Sequence, residues 1–484
     1  MHTHPRRHTP RAAKGRALLA LLGALATGAL HAAEPPVLPA DTLPPVVQSA
    51  LARAGLPASA LAWVVADTRP GGTVWARHRA DTLVNPASTM KLVTSFAALD
   101  LLGSAYSWRT QVYTDGHIQD GVLQGSLYIK GGGDPQLVTE RLWLLVRRVQ
   151  GLGIQRIQGD VVLDRSVFTL PPHDPGQFDG EPLRPYNASP DGLLVNYKAQ
   201  VWTFVPDPAA GVARVSVEPP LAGVVTPASV PLGNEPCGDW RSALKAQWGD
   251  ALRPVFRGTY PSACGERQWP IAHPEPDRYA ARAVAGMWSA VGGQLAGGVR
   301  DGAVPPQATL RFGLESPPLA EVVRGVNKYS NNVMAQHLLL SLGLANSPTG
   351  FEPARQVLAT WWPQRMGADV PLPVVDNGAG LSRQARTTAM ALTRLLQVAY
   401  GSGLMPDLMA SLPLSGQDGT LRRSRTATGV AHLKTGSLND VMALAGYVHA
   451  SDGQRRVFVA IVNHPDARAA RPVMDTLLQW ANPG

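Results

Sequence analysis

The chain has 484 residues, of which 45% are hydrophobic and 16% charged, and carries a formal net charge of +9. That length exceeds the roughly 250–300 residues at which one hydrophobic core stops growing, so two or more domains are expected. The composition excludes a disordered chain, and no basic stripe interleaved with aromatics points to nucleic acid.

Arg6, Arg7, Arg11, Lys14 and Arg16 form a basic start, an apolar run from Ala17 to about Leu30 follows, and Ala32 and Ala33 close it. Residues 1–33 therefore read as a secretory signal peptide cut near Ala32 or Ala33, which predicts an exported, periplasmic protein. The run falls short of the roughly 20 apolar residues of a membrane span, and no other stretch approaches that length, so no transmembrane anchor is expected. No cysteine lies near the cut to carry a lipid, and no amphipathic anchor is expected after Leu477-Leu478-Gln479-Trp480. Cleavage removes five basic residues and no acidic ones, leaving a mildly basic chain of net charge +4.

Residues 34–45 read as a proline-rich extended leader. A short helix from about Pro45 to Arg53 should end at Gly55. Two apolar runs, residues 61–66 and 73–76, flank Pro70-Gly71-Gly72 and predict a hairpin. A helix then starts at Asn85-Pro86-Ala87-Ser88, with Asn85 as cap and Pro86 at a first-turn position that needs no donor. Met90, Val93, Phe96 and Ala97 recur at helical spacing and should face a core.

From about 112 to 313 short strand-like runs alternate with glycine and proline, as in a large inserted region of one or two subdomains. Within it Trp240, Leu244, Trp248 and Leu252 recur every four residues, predicting an amphipathic helix between Cys237 and Cys264. These are the only two cysteines. In an oxidising compartment a disulfide between them is favoured over two buried thiols, with a stabilisation of about 3 kcal/mol from loop entropy. A second helix is expected from about Tyr279 to Gly292. Beyond Tyr329-Ser330-Asn331-Asn332 another helix carries Met334, Leu338 and Leu342 on one face and stops at Gly343. Strands are expected at about 430–435, 441–450 and 455–463, turned at Asn439-Asp440 and Ser451-Asp452-Gly453, before a closing helix at about 471–480.

Three of these places carry chemistry: Ser88-Thr89-Met90-Lys91 at a helix start, Ser330-Asn331-Asn332 in a loop and Lys434-Thr435-Gly436 in a strand. Ser88 and Lys91, three apart, project from one side of a first turn, where the helix dipole and free amides favour developing negative charge. Serine is a poor nucleophile until a base takes its proton, and lysine can act only when neutral. Its reference pKa of about 10.4 must fall by roughly three units, through burial and a second cation such as Lys434. None of Ala87, Ser88, Thr94 or Ser95 is an acid that would pair with Lys91 instead. Singly the segments are weak, since Ser242-Ala243-Leu244-Lys245 and Ser437-Leu438-Asn439 repeat the first two forms; Ser242 and Lys245 are assigned to a solvated helix surface. In order, and each in its setting, the three describe an acylating serine enzyme. The histidines show no paired ligand spacing, and no metal or cofactor is expected.

At these motifs the chain resembles the class C penicillin-binding D-alanyl-D-alanine carboxypeptidase/endopeptidases, from about Leu61 to the C-terminus. The resemblance includes Pro86-Ala87-Ser88-Thr89-Met90-Lys91-Leu92, Gly131-Gly132-Gly133-Asp134-Pro135, Asp376-Asn377-Gly378-Ala379-Gly380-Leu381-Ser382-Arg383 and Asp418-Gly419-Thr420-Leu421. About 240 residues separate Ser88 from Ser330, where this family places extra domains and class A β-lactamases have none. Two positions depart from the family pattern: Asn331 stands where aspartate is frequent, and Asn377-Gly378-Ala379-Gly380 is a longer version of Asp-Gly-Ser-Gly.

The resemblance implies an α/β (α+β) fold: an antiparallel sheet built from the hairpin and the three C-terminal strands, flanked by helices, with a β-rich insertion. The division would be a signal peptide at 1–33, a catalytic domain at 34–111 and 314–484, and inserted domains at 112–313. It further implies that Ser88 attacks the carbonyl of the penultimate D-alanine, that Lys91 is the base, and that Ser330 with Lys434 passes the proton to the departing D-alanine. Asn332 would hold the substrate amide, Thr435 and Lys434 its carboxylate, and Gly436 would let the substrate backbone approach. Backbone amides of Ser88 and Ser437 would form the oxyanion hole, each donor lowering the barrier by about 2.7–4 kcal/mol. The implied partners are peptidoglycan stem peptides and β-lactams, with no oligomeric state specified. The rival readings are a β-lactamase, which turns penicillin over, and a non-catalytic peptidoglycan-binding or sensing protein.

Overall fold

The structure is a computed structural model that describes residues 35–346 and 348–482. The segment read as a signal peptide lies outside the described residues.

Five antiparallel strands form the central sheet. β1 (Leu61–Asp67) and β2 (Val74–His78) make the hairpin, while β3 (Ala431–Leu438), β4 (Val441–His449) and β5 (Arg455–Asn463) make a meander. β5 pairs with β1, so the order is β3-β4-β5-β1-β2 and the two ends of the chain share one sheet. β1 is buried on both faces: Ala62, Val64 and Ala66 enter one core, Leu61, Trp63 and Val65 the other. β5 divides in the same way. Strands covered on both faces need no polar alternation, which explains their nearly continuous apolar sequence.

Helices Lys91–Leu102, Leu319–Tyr329, Asn332–Ser341, Phe351–Met366 and Ala389–Tyr400 build the larger core on the first face. Helices Pro45–Arg53 and Arg471–Ala481 cover the second. There Trp63 is fully buried, with its ring edge-on to Trp480 at 4.9 Å. A buried tryptophan of this kind contributes about 3–5 kcal/mol relative to alanine.

The chain leaves this unit along strand Arg109–Thr114 and returns along Thr309–Glu315, and those two strands pair antiparallel. Between them lie two further cores. One packs helices Thr139–Gly151 and Pro276–Ala290 against strands that include Leu127–Lys130 and Val161–Asp164. The other is an aromatic cluster around Trp202, Phe204 and Tyr260 on a five-stranded sheet. Cys237 and Cys264 are joined at its edge.

The helix expected through Trp240, Leu244, Trp248 and Leu252 does not form. Only Trp240–Leu244 is helical; Lys245 turns left-handed at φ +47, and Ala246-Gln247 pairs with Val255-Phe256. Gly249 and Pro254 make a continued helix costly. The four-residue spacing instead serves the aromatic cluster, where Trp248 meets Trp202 at 5.5 Å. Ser242 and Lys245 are exposed, with Ser242 donating to Asp239 at 2.6 Å.

Candidate active site

Asn85 organises the turn before the first buried helix. Its Oδ1 accepts from Ala87 N at 2.9 Å, its Nδ2 donates to Ser382 O at 2.9 Å, and Thr89 Oγ1 donates to Pro86 O at 2.7 Å. Ala87 is left-handed at φ +45, and Ala87–Met90 is a tight 3₁₀ turn. The α-helix proper begins at Lys91, later than the sequence spacing implies, because those three-residue bonds wind the first turn more tightly. The consequence is that the Ser88 Oγ lies 3.0 Å from Lys91 Nζ.

Lys91 is completely buried. Its Nζ also donates to Asn332 Oδ1 at 2.7 Å and to the Ala379 carbonyl at 2.6 Å. That carbonyl is held by its own loop: Asn377 Oδ1 accepts from Ala379 N, Asn377 Nδ2 donates to Leu381 O, and Thr94 Oγ1 donates to Gly378 O. Gly380 is left-handed at φ +74, and a Cβ there would lie 1.9 Å from Ala87 O, so only glycine lets the loop close on the turn that carries Ser88. Burial, reinforced by the charge of Lys434, holds the Lys91 amine well below the usual lysine range.

Ser330 ends helix Leu319–Tyr329 in the left-handed conformation at φ +57. Asn331 then caps the next helix, its Oδ1 accepting from Met334 N at 3.1 Å. Asparagine and aspartate cap equally well, which accounts for Asn331 at a position where aspartate would also serve. The corner points Ser330 at β3, where Lys434 Nζ donates to Ser330 Oγ at 2.9 Å and to Thr435 O at 2.7 Å. Lys434 is fully buried too, and desolvation pushes its amine down to about 7. Gly436 lies against the turn that carries Ser88, where a Cβ would meet Pro86 O at 2.8 Å.

Ser88, Ser330, Asn332 and Ser437 line one cleft of about 410 Å³. Lys91 and Lys434 lie beneath it, whereas Thr435 and Gly436 line the adjoining space on the other side of β3. Cys237 and Cys264 are remote, in the aromatic core of the inserted region. Residues without a sequence-based role also meet here. Asp179, Tyr186 and Arg383 line the cleft, Asn332 Nδ2 donates to Tyr186 O at 3.0 Å, and Thr420 shares a hydrogen bond with Thr435 at 2.8 Å. Thr420, Ala379 and Arg383 lie in segments that the family resemblance singled out. Asp179 and Tyr186 come from a long loop of the insertion, where no local pattern marks them. Among the described residues no cluster of histidine, cysteine or carboxylate side chains is arranged to hold a metal ion.

The D-Ala-D-Ala carboxypeptidase 3 (S13) family matches residues 45–483. The chain is 30% identical to a D-alanyl-D-alanine carboxypeptidase of Actinomadura sp. (strain R39) over 431 residues, covering 83% of this chain and 77% of that protein. Its fold is similar to the crystal structure of penicillin binding protein 4 (dacB) from Haemophilus influenzae, with a TM-score of 0.70 and 24% identity over 90% of this chain and 98% of that one. The same Haemophilus protein complexed with a β-lactam gives a TM-score of 0.65 and 22% identity, over 89% and 99% of the two chains.

Proposed function

Because the chain belongs to the D-Ala-D-Ala carboxypeptidase 3 (S13) family, we propose that Ser88, Lys91, Ser330 and Lys434 are the groups that carry its reaction on peptidoglycan stem peptides. The protein is a serine-type D-alanyl-D-alanine carboxypeptidase/endopeptidase. The observation that carries the residue assignment is the environment of Lys91 Nζ. It has three polar neighbours, two of which, Asn332 Oδ1 and Ala379 O, can only accept. A neutral amine uses its two N–H groups on them and turns its lone pair to the third, the Ser88 hydroxyl. Full burial and the nearby Lys434 charge favour that neutral form.

Lys91 then takes the Ser88 proton as Oγ attacks the carbonyl of the penultimate D-alanine, and the amides of Ser88 and Ser437 receive the oxyanion. The C–N bond breaks as the leaving amine takes a proton from Ser330, Lys434 reprotonates Ser330, and the proton that Lys91 took from Ser88 passes on to Lys434, which leaves Lys91 neutral again. Water, activated by the same Lys91, cleaves the ester and frees the acid and Ser88. Asn332 orients the substrate amide, while Lys434, Thr435 and Gly436 receive the leaving-group end. A β-lactam acylates Ser88 in the same way, but its amine stays tethered to the acyl group and impedes water; the Haemophilus complex supports this class of ligand.

We assign residues 34–111 and 314–484 to the catalytic domain and 112–313 to the inserted domains, a division supported by the pairing of the outgoing and returning strands. Export to the periplasm rests on the N-terminal basic and apolar pattern; among the described residues no helix is long and apolar enough to cross a membrane.

Fluorescent penicillin should label the protein at one site, and Ser88→Ala should remove the adduct from gel and intact-mass spectra. Equal labelling of that variant refutes the nucleophile. An adduct that persists over an hour distinguishes this enzyme from a β-lactamase, which would discharge it.

A further inference from the structure

A second groove of about 780 Å³ opens on the far side of β3, and the reaction above uses only its Thr435–Ser437 end. The pleat of the strand creates it: Lys434 points to the helical core, so Thr435 and Ser437 point to the opposite face. The groove is lined by those two residues, the 420–425 segment and helix Arg471–Ala481. Its floor is apolar, with Met442, Leu444 and Leu478, and Ser437 lines both this groove and the catalytic cleft. Arg423, Arg425 and Arg471 stand on its rim, all exposed, and none makes an ion pair with a described residue. Asp475 is the only carboxylate in the lining, so the groove is net positive.

We propose that this groove binds the second stem peptide of a cross-linked peptidoglycan dimer, the acidic peptide attached to the leaving amine. The inference rests on the catalytic assignment above and extends it to the leaving-group side. A carboxypeptidase releases free D-alanine, which ends at Thr435 and leaves most of this volume unfilled. In a cross-linked substrate the leaving amine belongs to a diamino acid whose peptide continues past that point and carries several carboxylates. The groove's place beside Thr435, its continuity with the cleft through Ser437 and its arginine rim match that continuation. Occupation of the groove favours dimers through binding, with the bond cleaved and the proton transfers unchanged.

The test uses the full mature protein with Arg423, Arg425 and Arg471 changed together to alanine, and a second variant with all three changed to lysine. Three rates are compared: acylation by fluorescent penicillin, D-alanine release from a monomeric pentapeptide, and cleavage of a purified cross-linked muropeptide dimer. The alanine variant should lose roughly tenfold in kcat/KM on the dimer, chiefly through KM, a size suited to three solvent-exposed charge contacts. Its penicillin acylation and pentapeptide hydrolysis should stay within about twofold of wild type, as expected for charges away from the reacting atoms. The lysine variant should recover much of the dimer activity. Equal loss on monomer and dimer, no loss on the dimer, or weakened binding to whole cell-wall polymer with dimer cleavage intact would each overturn the proposal, as would a wild-type protein that does not cleave dimers. Failure of the wild type to be acylated at all would instead overturn the catalytic assignment. A misfolded variant is recognised by lost penicillin acylation and is replaced by the three single substitutions, each read on the dimer-to-monomer rate ratio.

Discussion

Lys434 and Lys91 are two fully buried amines with no carboxylate partner among the described residues, and the site depends on that cost. Lys434 titrates near 7 in the fold and at the ordinary 10.5 when unfolded, with burial as the cause. Between those values the unfolded chain binds more protons, so stability rises with pH from about 7 to 10.5, and the penalty is fully present below about 7. Lys434→Met should therefore raise the unfolding midpoint at pH 7, by a free energy on the order of a few kcal/mol less the lost hydrogen bonds, with the gain shrinking by pH 10. The same variant should lose penicillin acylation by orders of magnitude, as Lys91→Ala should. In the wild type, acylation should slow as pH falls and the buried amines gain protons; a rate that does not change from pH 8 to 5 would contradict a lysine base.

The element that most directly fixes the Ser88–Lys91 pair is the Asn377–Leu381 loop, which supplies a carbonyl to Lys91 and wedges a left-handed glycine against Ala87. Gly380→Ala should cost about 1–3 kcal/mol from backbone strain and should displace the turn bearing Ser88. Its acylation rate should fall by more than tenfold even where the thermal midpoint shows a folded protein, a loss suited to misplaced reacting groups. Unchanged acylation would mean that the loop does not position Ser88. At this scale local pattern reads well where apolar spacing ends at a clear cap or turn, and poorly where aromatic residues from several elements gather in one cluster. Helix Pro45–Arg53, the hairpin and the three C-terminal strands follow their apolar spacing and turn residues. Leu319, Val322, Val323 and Val326 also stand at helical spacing, a legible signal for helix Leu319–Tyr329. Trp240 to Leu252 has the same spacing without the helix, because its aromatics gather on a sheet.

For the whole molecule, the joint between the catalytic unit and the insertion is a buried polar one. His337, fully buried, donates through Nδ1 to Gly133 O at 2.8 Å and accepts through Nε2 from Asp191 N at 3.2 Å, a pattern only the neutral ring can satisfy. Desolvation pushes it down to about 4, and the adjacent Asp134 carboxyl is pushed up to about 6. The two act in opposite directions. Acidification from about 6.5 to 4 weakens the fold through His337, which the unfolded chain protonates more readily, whereas from about 6 to 3.8 it relieves the cost of burying the Asp134 charge. His337→Gln should therefore lose less stability than wild type between pH 6.5 and 4.5, and Asp134→Asn should lose more. Denaturant midpoints at the two pH values check both, and identical slopes in all three proteins would refute the role of this joint. Such joints explain the limit of sequence reading. The sequence by itself singled out Ser88, Lys91, Ser330 and Lys434 as candidates, because Ser88 and Lys91 are set by one helical turn and the other segments by their own turns and strand. Only the tertiary structure decided that Lys91 is buried, that the Ala379 carbonyl and Tyr186 reach it and Asn332, and that an arginine-rimmed groove continues from Ser437. Burial and convergence are made by residues hundreds of positions apart, and no local period encodes them.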